Sequence, residues 1–313
     1  MKAASYILFS IFILFGNGLL AQAKVSNQNS KSETSKSKSA SKIYERGGKN
    51  VTVSSLEEIN SKNREYYIAR YMNSYVYSVI SVDQAPKKAS DVSFYSIKEV
   101  NGRFDKPQKF ELNAPEKLIP VAVSFDKNGS NMFITCVQPS VTLKYTIYQA
   151  KYTNGKWSNW TELPVARKME SSGFPVMDES GSRLYFCGQA KATVRGYDIY
   201  SVENTKNGWQ DAKNIGADIN SDGDDMFPTF YKSNLFFSSN DKGGEGKFDI
   251  IFTDLSDKSF TCFNSGVLLN TEANDQMMLL NSDNSTGILI NDSNSAGKSD
   301  LYKFKVEGAY ITK

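Results

Sequence analysis

The chain has 313 residues, with 37 Lys and Arg against 34 Asp and Glu, a net charge of +3 that is too balanced to argue for a nucleic-acid partner. It contains no histidine. That excludes histidine-ligated metal sites, Ser-His-Asp and Cys-His nucleophile pairs, and histidine as general acid or base, so any enzyme here would rely on carboxylates, Lys or Tyr. Three cysteines, Cys136, Cys187 and Cys262, make no complete disulfide framework and no C-x-x-C pair. Cys136 and Cys187 end apolar runs and read as small buried hydrophobes.

Residues 1–23 read as a secretory signal. Lys2 gives a positive start, residues 6–15 an apolar core, and Ala21-Gln22-Ala23 a small-residue cleavage site. The run is too short for a confident membrane span, and no Cys follows it, so an exported periplasmic or envelope protein is expected and a lipoprotein is not. Residues 24–48 are rich in Ser and Lys with few apolar residues, which predicts a flexible linker. The folded part is expected over 49–313.

Residues 49–56, with Val51-Thr52-Val53, read as a strand that has no sheet of its own. In a ring of sheets such a strand pairs with the last one, removing an exposed edge. Tyr310-Ile311-Thr312 competes for the same place. Between the two ends the pattern is strand, turn, strand, loop, strand, turn, strand, repeated. The first unit spans about 65–110, with a third strand over 91–100 and a fourth over 103–112. The others span 119–163, 173–215, 226–268 and 275–313.

Several landmarks recur at a fixed period. Asp198 returns as Asp249 and Asp300, at steps of 51 (198 to 249, 249 to 300), each opening a short β-branched or aromatic run. Asp91 opens the first copy and Thr146 stands in the second. Asn154-Gly155-Lys156-Trp157 matches Asn207-Gly208-Trp209, and Ile219-Asn220-Ser221 matches Leu269-Asn270-Thr271 and Ile59-Asn60-Ser61. Four short antiparallel strands in about 50 residues make one propeller blade. The predicted fold is all-β: a β-propeller of five blades with four antiparallel strands each, six blades being the alternative count.

The order Pro-containing strand, D-x-x-G turn, L-Y-F strand, Gly-containing loop, D-I-Y, G-W and I-N-S/T resembles the PD40 repeat. This is the WD40-like repeat related to the propeller of TolB. Residues 173–220 and 226–270 carry it best, and the resemblance covers roughly 50–313. It implies a propeller used mainly for binding and names no partner.

Asp91, Asp198, Asp249 and Asp300 occur once per blade, so they read as structural acceptors that fix loop backbone, not as one active site. Asp218, Asn220 and Asp222 fit the start of a calcium loop, but the twelfth position is Thr229 where a bidentate Glu is needed, and the segment coincides with the repeated linker. No cofactor or metal is therefore expected. The loops between second and third strands carry a base on every blade: Lys87, Lys88, Lys144, Lys191, Arg195, Lys242, Lys247 and Lys298. Acidic linkers reach the same face, so these bases read either as a compensated surface or as a cationic ring for an anionic peptide or glycan. The function expected is a non-catalytic binding module, a monomer that engages another envelope or outer-membrane protein through one face. The alternatives are a carboxylate-dependent carbohydrate-active enzyme or a soluble receptor for a glycan or other small ligand.

Overall fold

The computed structural model describes residues 42–46, 49–83, 85–138, 144–191, 196–242, 247–266, 269–293 and 298–311. The expected signal, the linker up to residue 41, and Arg195 lie outside the described residues. In chain order, β1 (Lys42–Arg46) and β2 (Lys49–Ser55) come first. Blade 1 holds β3 (Arg64–Tyr71), β4 (Ser74–Ile80) and β5 (Val92–Ile97), then the small hairpin β6 (Glu99–Val100) and β7 (Arg103–Phe104), then β8 (Gln108–Lys109). Blade 2 holds β9 (Ile119–Phe125), β10 (Asn131–Gln138), β11 (Lys144–Thr153) and β12 (Lys156–Glu162). Blade 3 holds β13 (Met169–Met177), β14 (Arg183–Ala190), β15 (Asp198–Thr205) and an outer strand broken into β16 (Gly208–Trp209) and β17 (Lys213–Asn214). Blade 4 holds β18 (Asp225–Tyr231), β19 (Asn234–Ser239), β20 (Asp249–Asp254) and β21 (Cys262–Asn264). Blade 5 holds β22 (Asp275–Leu280), β23 (Thr286–Asn291) and β24 (Asp300–Val306).

The fold is thus a five-blade β-propeller of antiparallel sheets. Its fifth blade is completed from the other end of the chain. β2 pairs β24 in antiparallel register, Val51 opposite Val306 and Ser55 opposite Tyr302, and β1 pairs β2 outside it. The N-terminal strand closes the ring, and residues 42–46, expected in the linker, form one more strand on its edge. Tyr310 and Ile311 do not extend the sheet. They fold back between blades 4 and 5.

Blade 1 departs from expectation. Its third strand stops at Ile97, because Asn101 (φ 53°) and Gly102 (φ 78°) make a tight turn that folds 99–104 into its own hairpin. Two left-handed residues in succession are what a two-residue hairpin turn requires. The fourth strand is reduced to Gln108 and Lys109.

The innermost strands are buried along their length, β9 and β22 completely. Two of them, the Pro-containing strands β13 and β18, carry a bulge at Phe174-Pro175 and Phe227-Pro228. Phe174 (φ 54°) and Phe227 (φ 53°) sit in the left-handed region, with register shifts between Gly173 and Val176 and between Met226 and Thr229. A bulky residue there is strained, and a bulge re-aims its side chain. Both rings point to the hub. The Phe174 and Phe227 centroids lie 4.4 Å apart, and Tyr66 from blade 1 lies 6.0 Å from one and 6.3 Å from the other. Blade 1 adjoins neither blade 3 nor blade 4, so these three rings meet on the axis and fill it.

Neighbouring blades are also tied near the hub by side-chain hydroxyls of first and second strands that meet main-chain groups of the next inner strand. Ser78 donates to the Val121 carbonyl (2.7 Å), Thr229 to the Met278 carbonyl (2.6 Å), and the Phe174 N–H donates to the Thr135 hydroxyl (2.7 Å). All of these atoms are buried, where an unmet polar group would be costly. Cys136 and Cys187 are buried and free, and Cys262 is half-buried and free. Among the described residues no helix is long and apolar enough to cross a membrane.

Candidate functional site

The hub has two ends. At one, the inner strands begin and the blade-to-blade linkers and second-to-third-strand loops gather. Here each I-N-S/T linker makes the same two contacts. The Asn amide grips the main chain of the third strand: Asn220 accepts the Ile199 N–H (2.8 Å) and donates to its carbonyl (3.0 Å), Asn270 does so with Ile250 (2.7 and 3.1 Å), and Asn60 with Leu301 (2.8 and 2.9 Å). The following Ser or Thr donates its N–H and hydroxyl to the acid that opens the next inner strand. Ser61 does so to Glu65 (2.9 and 2.7 Å), Ser221 to Asp225 (2.6 and 2.9 Å), and Thr271 to Asp275 (2.5 and 3.2 Å).

Asp225 and Asp275 belong to the acidic linkers read from the sequence and Glu65 does not, although the spacing S/T-x-x-x-D/E after each linker marks all three. All three are buried. Burial pushes the Glu65 carboxyl up to about 7 against the pull of the Ser61 hydrogen bonds, and Asp275 likewise to about 7 against those of Thr271. Asp225 and its neighbour Asp224 are also raised by burial.

The basic loop residues sit at this end. Lys144 pairs with Glu170, the Lys191 ammonium donates to the Arg167 carbonyl (2.8 Å), and the Lys298 ammonium donates to the Lys62 carbonyl (2.9 Å). Lys87, Lys88 and Lys247 are exposed, and Lys242 is half-buried beside Asp225. Of the repeated aspartates, Asp91 accepts the N–H groups of Lys87 (2.9 Å) and Lys88 (3.2 Å), and Asp198 accepts from the Asn214 amide (2.8 Å). Asp249 is buried and Asp300 half-buried at the matching strand starts. Of the residues weighed for calcium, Asn220 has its amide committed to Ile199. Among the described residues there is no group of three or more acidic or cysteine side chains arranged to hold a metal.

The other end, where first and second strands turn, is open. All five inner strands line a funnel of about 570 Å³ there. Its walls are largely apolar, with Tyr67, Ala69, Val176, Phe230 and Leu279 each from an inner strand, and its rim is charged. Arg70 is fixed: its guanidinium donates to the Leu280 carbonyl (2.7 Å), Asn281 Oδ1 (2.8 Å) and the Tyr75 hydroxyl (3.1 Å). Glu179 accepts the Lys232 N–H (2.8 Å), and Asp178 accepts the Arg183 N–H (3.3 Å) within its own turn. Lys127 and Lys232 expose ammonium groups that have no ion-pair partner among the described residues, the latter 5.0 Å from the Tyr231 ring. Met72 stands on the rim, 72% exposed. The filled hub separates this funnel from the linker end.

No family model matches the chain, and no curated protein matches it. Solved structures similar to it include one assigned as TolB from Agrobacterium tumefaciens, at 10% identity over 78% of this chain and 77% of that one, with a TM-score of 0.49. TolB from Acinetobacter baumannii is 11% identical over 83% of this chain and 60% of that one, TM-score 0.44. A thermostable family-43 glycoside hydrolase is 11% identical over 80% and 91%, TM-score 0.48. The fold is read from the strand pairing itself, and likenesses at this level add nothing about ligand or chemistry.

Proposed function

We propose that this protein is an exported, non-catalytic binding module that engages another protein of the cell envelope through the funnel end of the propeller. The observation that carries the reading is the funnel: five blades contribute to one apolar-walled recess on the axis, with two exposed ammonium groups on its rim that lack an ion-pair partner among the described residues. A recess of that kind suits an apolar side chain from a partner segment flanked by carboxylates, since apolar burial supplies affinity and the rim charges orient the approach. Fold likeness is no warrant for function; sites are.

The competing reading is a glycosidase, which needs two reachable carboxylates about 5–10 Å apart across a scissile bond. Glu65, Asp225 and Asp275 are buried and each receives the N–H and hydroxyl of its own linker, a task that leaves them turned from solvent. The test is retention of a single stoichiometric partner from envelope extract by the mature protein, compared with a Lys127→Glu/Lys232→Glu variant. Retention by the first and loss by the second is expected. Turnover of a glycan by the purified protein would overturn the reading.

A further inference from the structure

The blades radiate, so the gap between neighbouring sheets widens toward the rim, and aromatic rings enter each gap. Phe104 lies between blades 5 and 1, 5.9 Å from Tyr75 and 5.7 Å from the Lys303 ammonium. Trp157 of blade 2 lies 6.1 Å from Tyr71 of blade 1. Trp209 of blade 3 reaches blade 2, its ring 5.8 Å from Phe133 and its indole N–H donating to Gln149 Oε1 (3.3 Å). Between blades 4 and 5 the filler is the chain's own tail. Tyr310 packs 6.1 Å from Phe236, 5.9 Å from Phe252 and 6.3 Å from Phe304, and its hydroxyl donates to Ser265 (2.8 Å).

The wedge between blades 3 and 4 is different. A cavity of about 720 Å³ remains, lined among others by Tyr185, Ser201, Lys213, Ile215 and Phe260. Register explains why. In blade 4, Phe236 pairs with Phe252, which pairs with Phe263, and the tail tyrosine rests on the first two. The same rung of blade 3 is Tyr185, then Ser201, then Lys213. A serine and a lysine replace two phenyl rings. Phe260, 51 residues after Trp209, stands where the hairpins of blades 2 and 3 bring an indole, and Tyr185 meets Phe230 of blade 4 at 4.9 Å, but neither Phe260 nor Tyr185 closes the cavity that both line.

We propose that this open wedge is a second docking site, which receives an aromatic side chain, tyrosine by preference, carried on an extended segment of a partner protein. The neighbouring wedge shows the occupant's chemistry. There a tyrosine ring enters between sheets while Asn284 holds the main chain on both sides. The Tyr310 N–H donates to the Asn284 carbonyl (2.6 Å) and the Ile311 N–H to Asn284 Oδ1 (3.0 Å), and the Asn284 amide donates to the Ile311 carbonyl (2.8 Å). In the open wedge the tyrosine hydroxyl meets Ser201. The exposed Lys213 ammonium, which has no ion-pair partner among the described residues, meets an acidic neighbour such as Glu307 provides in the tail itself. The site lies on the flank of the disk and stands independently of the funnel.

The probe is the peptide of residues 306–313, titrated onto the whole protein with amide shifts followed by NMR. Saturable binding is expected, with shifts at Ser201, Lys213 and Ile215. Ser201→Phe installs the blade 4 rung and fills the wedge, so it should weaken binding about tenfold or more with no fall in thermal midpoint. Lys213→Glu, at an exposed position, should weaken it several-fold, and replacing the peptide's tyrosine by alanine should abolish it. The Lys127→Glu/Lys232→Glu variant should bind the peptide as the wild type does, which separates this site from the funnel. Failure to saturate, equal affinity for Ser201→Phe, or shifts centred on Phe236 and Phe252 would each overturn the proposal.

Discussion

The side-chain amide of Asn60 holds the main chain of Leu301 from both sides, accepting its N–H at 2.8 Å and donating to its carbonyl at 2.9 Å, across 241 residues of sequence. Asn220 and Asn270 make the same grip on the third strand just before them in the chain. At Asn60 the third strand belongs to the last blade, so the contact that joins consecutive blades elsewhere joins the two ends of the ring here.

Asn60→Ala removes one partner from each of two main-chain groups. The Leu301 carbonyl keeps the Leu56 N–H (3.0 Å), so a loss of about 2 kcal/mol is expected from the unmet Leu301 N–H, read as a lower denaturant midpoint. Asn50→Ala, which removes an exposed contact to Glu307, should change stability by less than about 0.5 kcal/mol. Equal effects from the two would argue against the closure described.

Stability should fall as pH rises from about 4.5 to 7. The cause is burial of Glu65, which faces Ser61, Tyr77 and Asp300, and of Asp275, which faces Thr271, Asp249 and Asp292. Each titrates near 7 when folded, while the unfolded chain ionises near its ordinary value, 4.5 for Glu and 3.8 for Asp. Between those limits the folded state holds protons that the unfolded state releases, so raising the pH favours unfolding, and above about 7 the cost is complete and levels off. The ceiling is on the order of 3 kcal/mol for Glu65 and on the order of 4 kcal/mol for Asp275. Urea midpoints at pH 5 and pH 8 test this: the first should be higher, and Glu65→Gln with Asp275→Asn should flatten the difference.

Phe174 is fully buried on the axis among Tyr66, Tyr145 and Phe227. Phe174→Ala empties the meeting point of three blades and should cost about 4 kcal/mol. Phe230→Ala, on the funnel wall and only half-buried, should cost less and should weaken partner retention instead. Equilibrium unfolding of both variants checks the ranking.

Thiol reagents should distinguish the cysteines. Cys136 and Cys187 are buried in second strands, and burial raises both thiols. Cys262 is half-buried, raised by burial and drawn back by Lys242. One slow modification is expected in the native protein, since only the thiolate reacts, and three after unfolding. Rapid loss of all three native thiols would contradict the packing of β10 and β14.

The period of the repeat, the hairpin turns and the count of five blades were legible in the chain because each depends on residues close in sequence: a turn such as Asp126 to Gly129, a strand such as 184–187, a linker such as Ile219-Asn220-Ser221. The Pro-containing strands were visible as repeat landmarks, but nothing local says that the left-handed phenylalanines before their prolines turn inward to meet Tyr66 from a blade more than 100 residues away. The roles of Glu65, Asp225 and Asp275 were hidden for a related reason. An acid near a serine is unremarkable until folding removes the water around both. Which terminus closes the ring, which end of the hub stays open, and which wedge keeps a cavity were decided by tertiary structure alone. Each is a question of how distant strands align around a common axis, and burial and register across that axis leave no periodic trace in the letters.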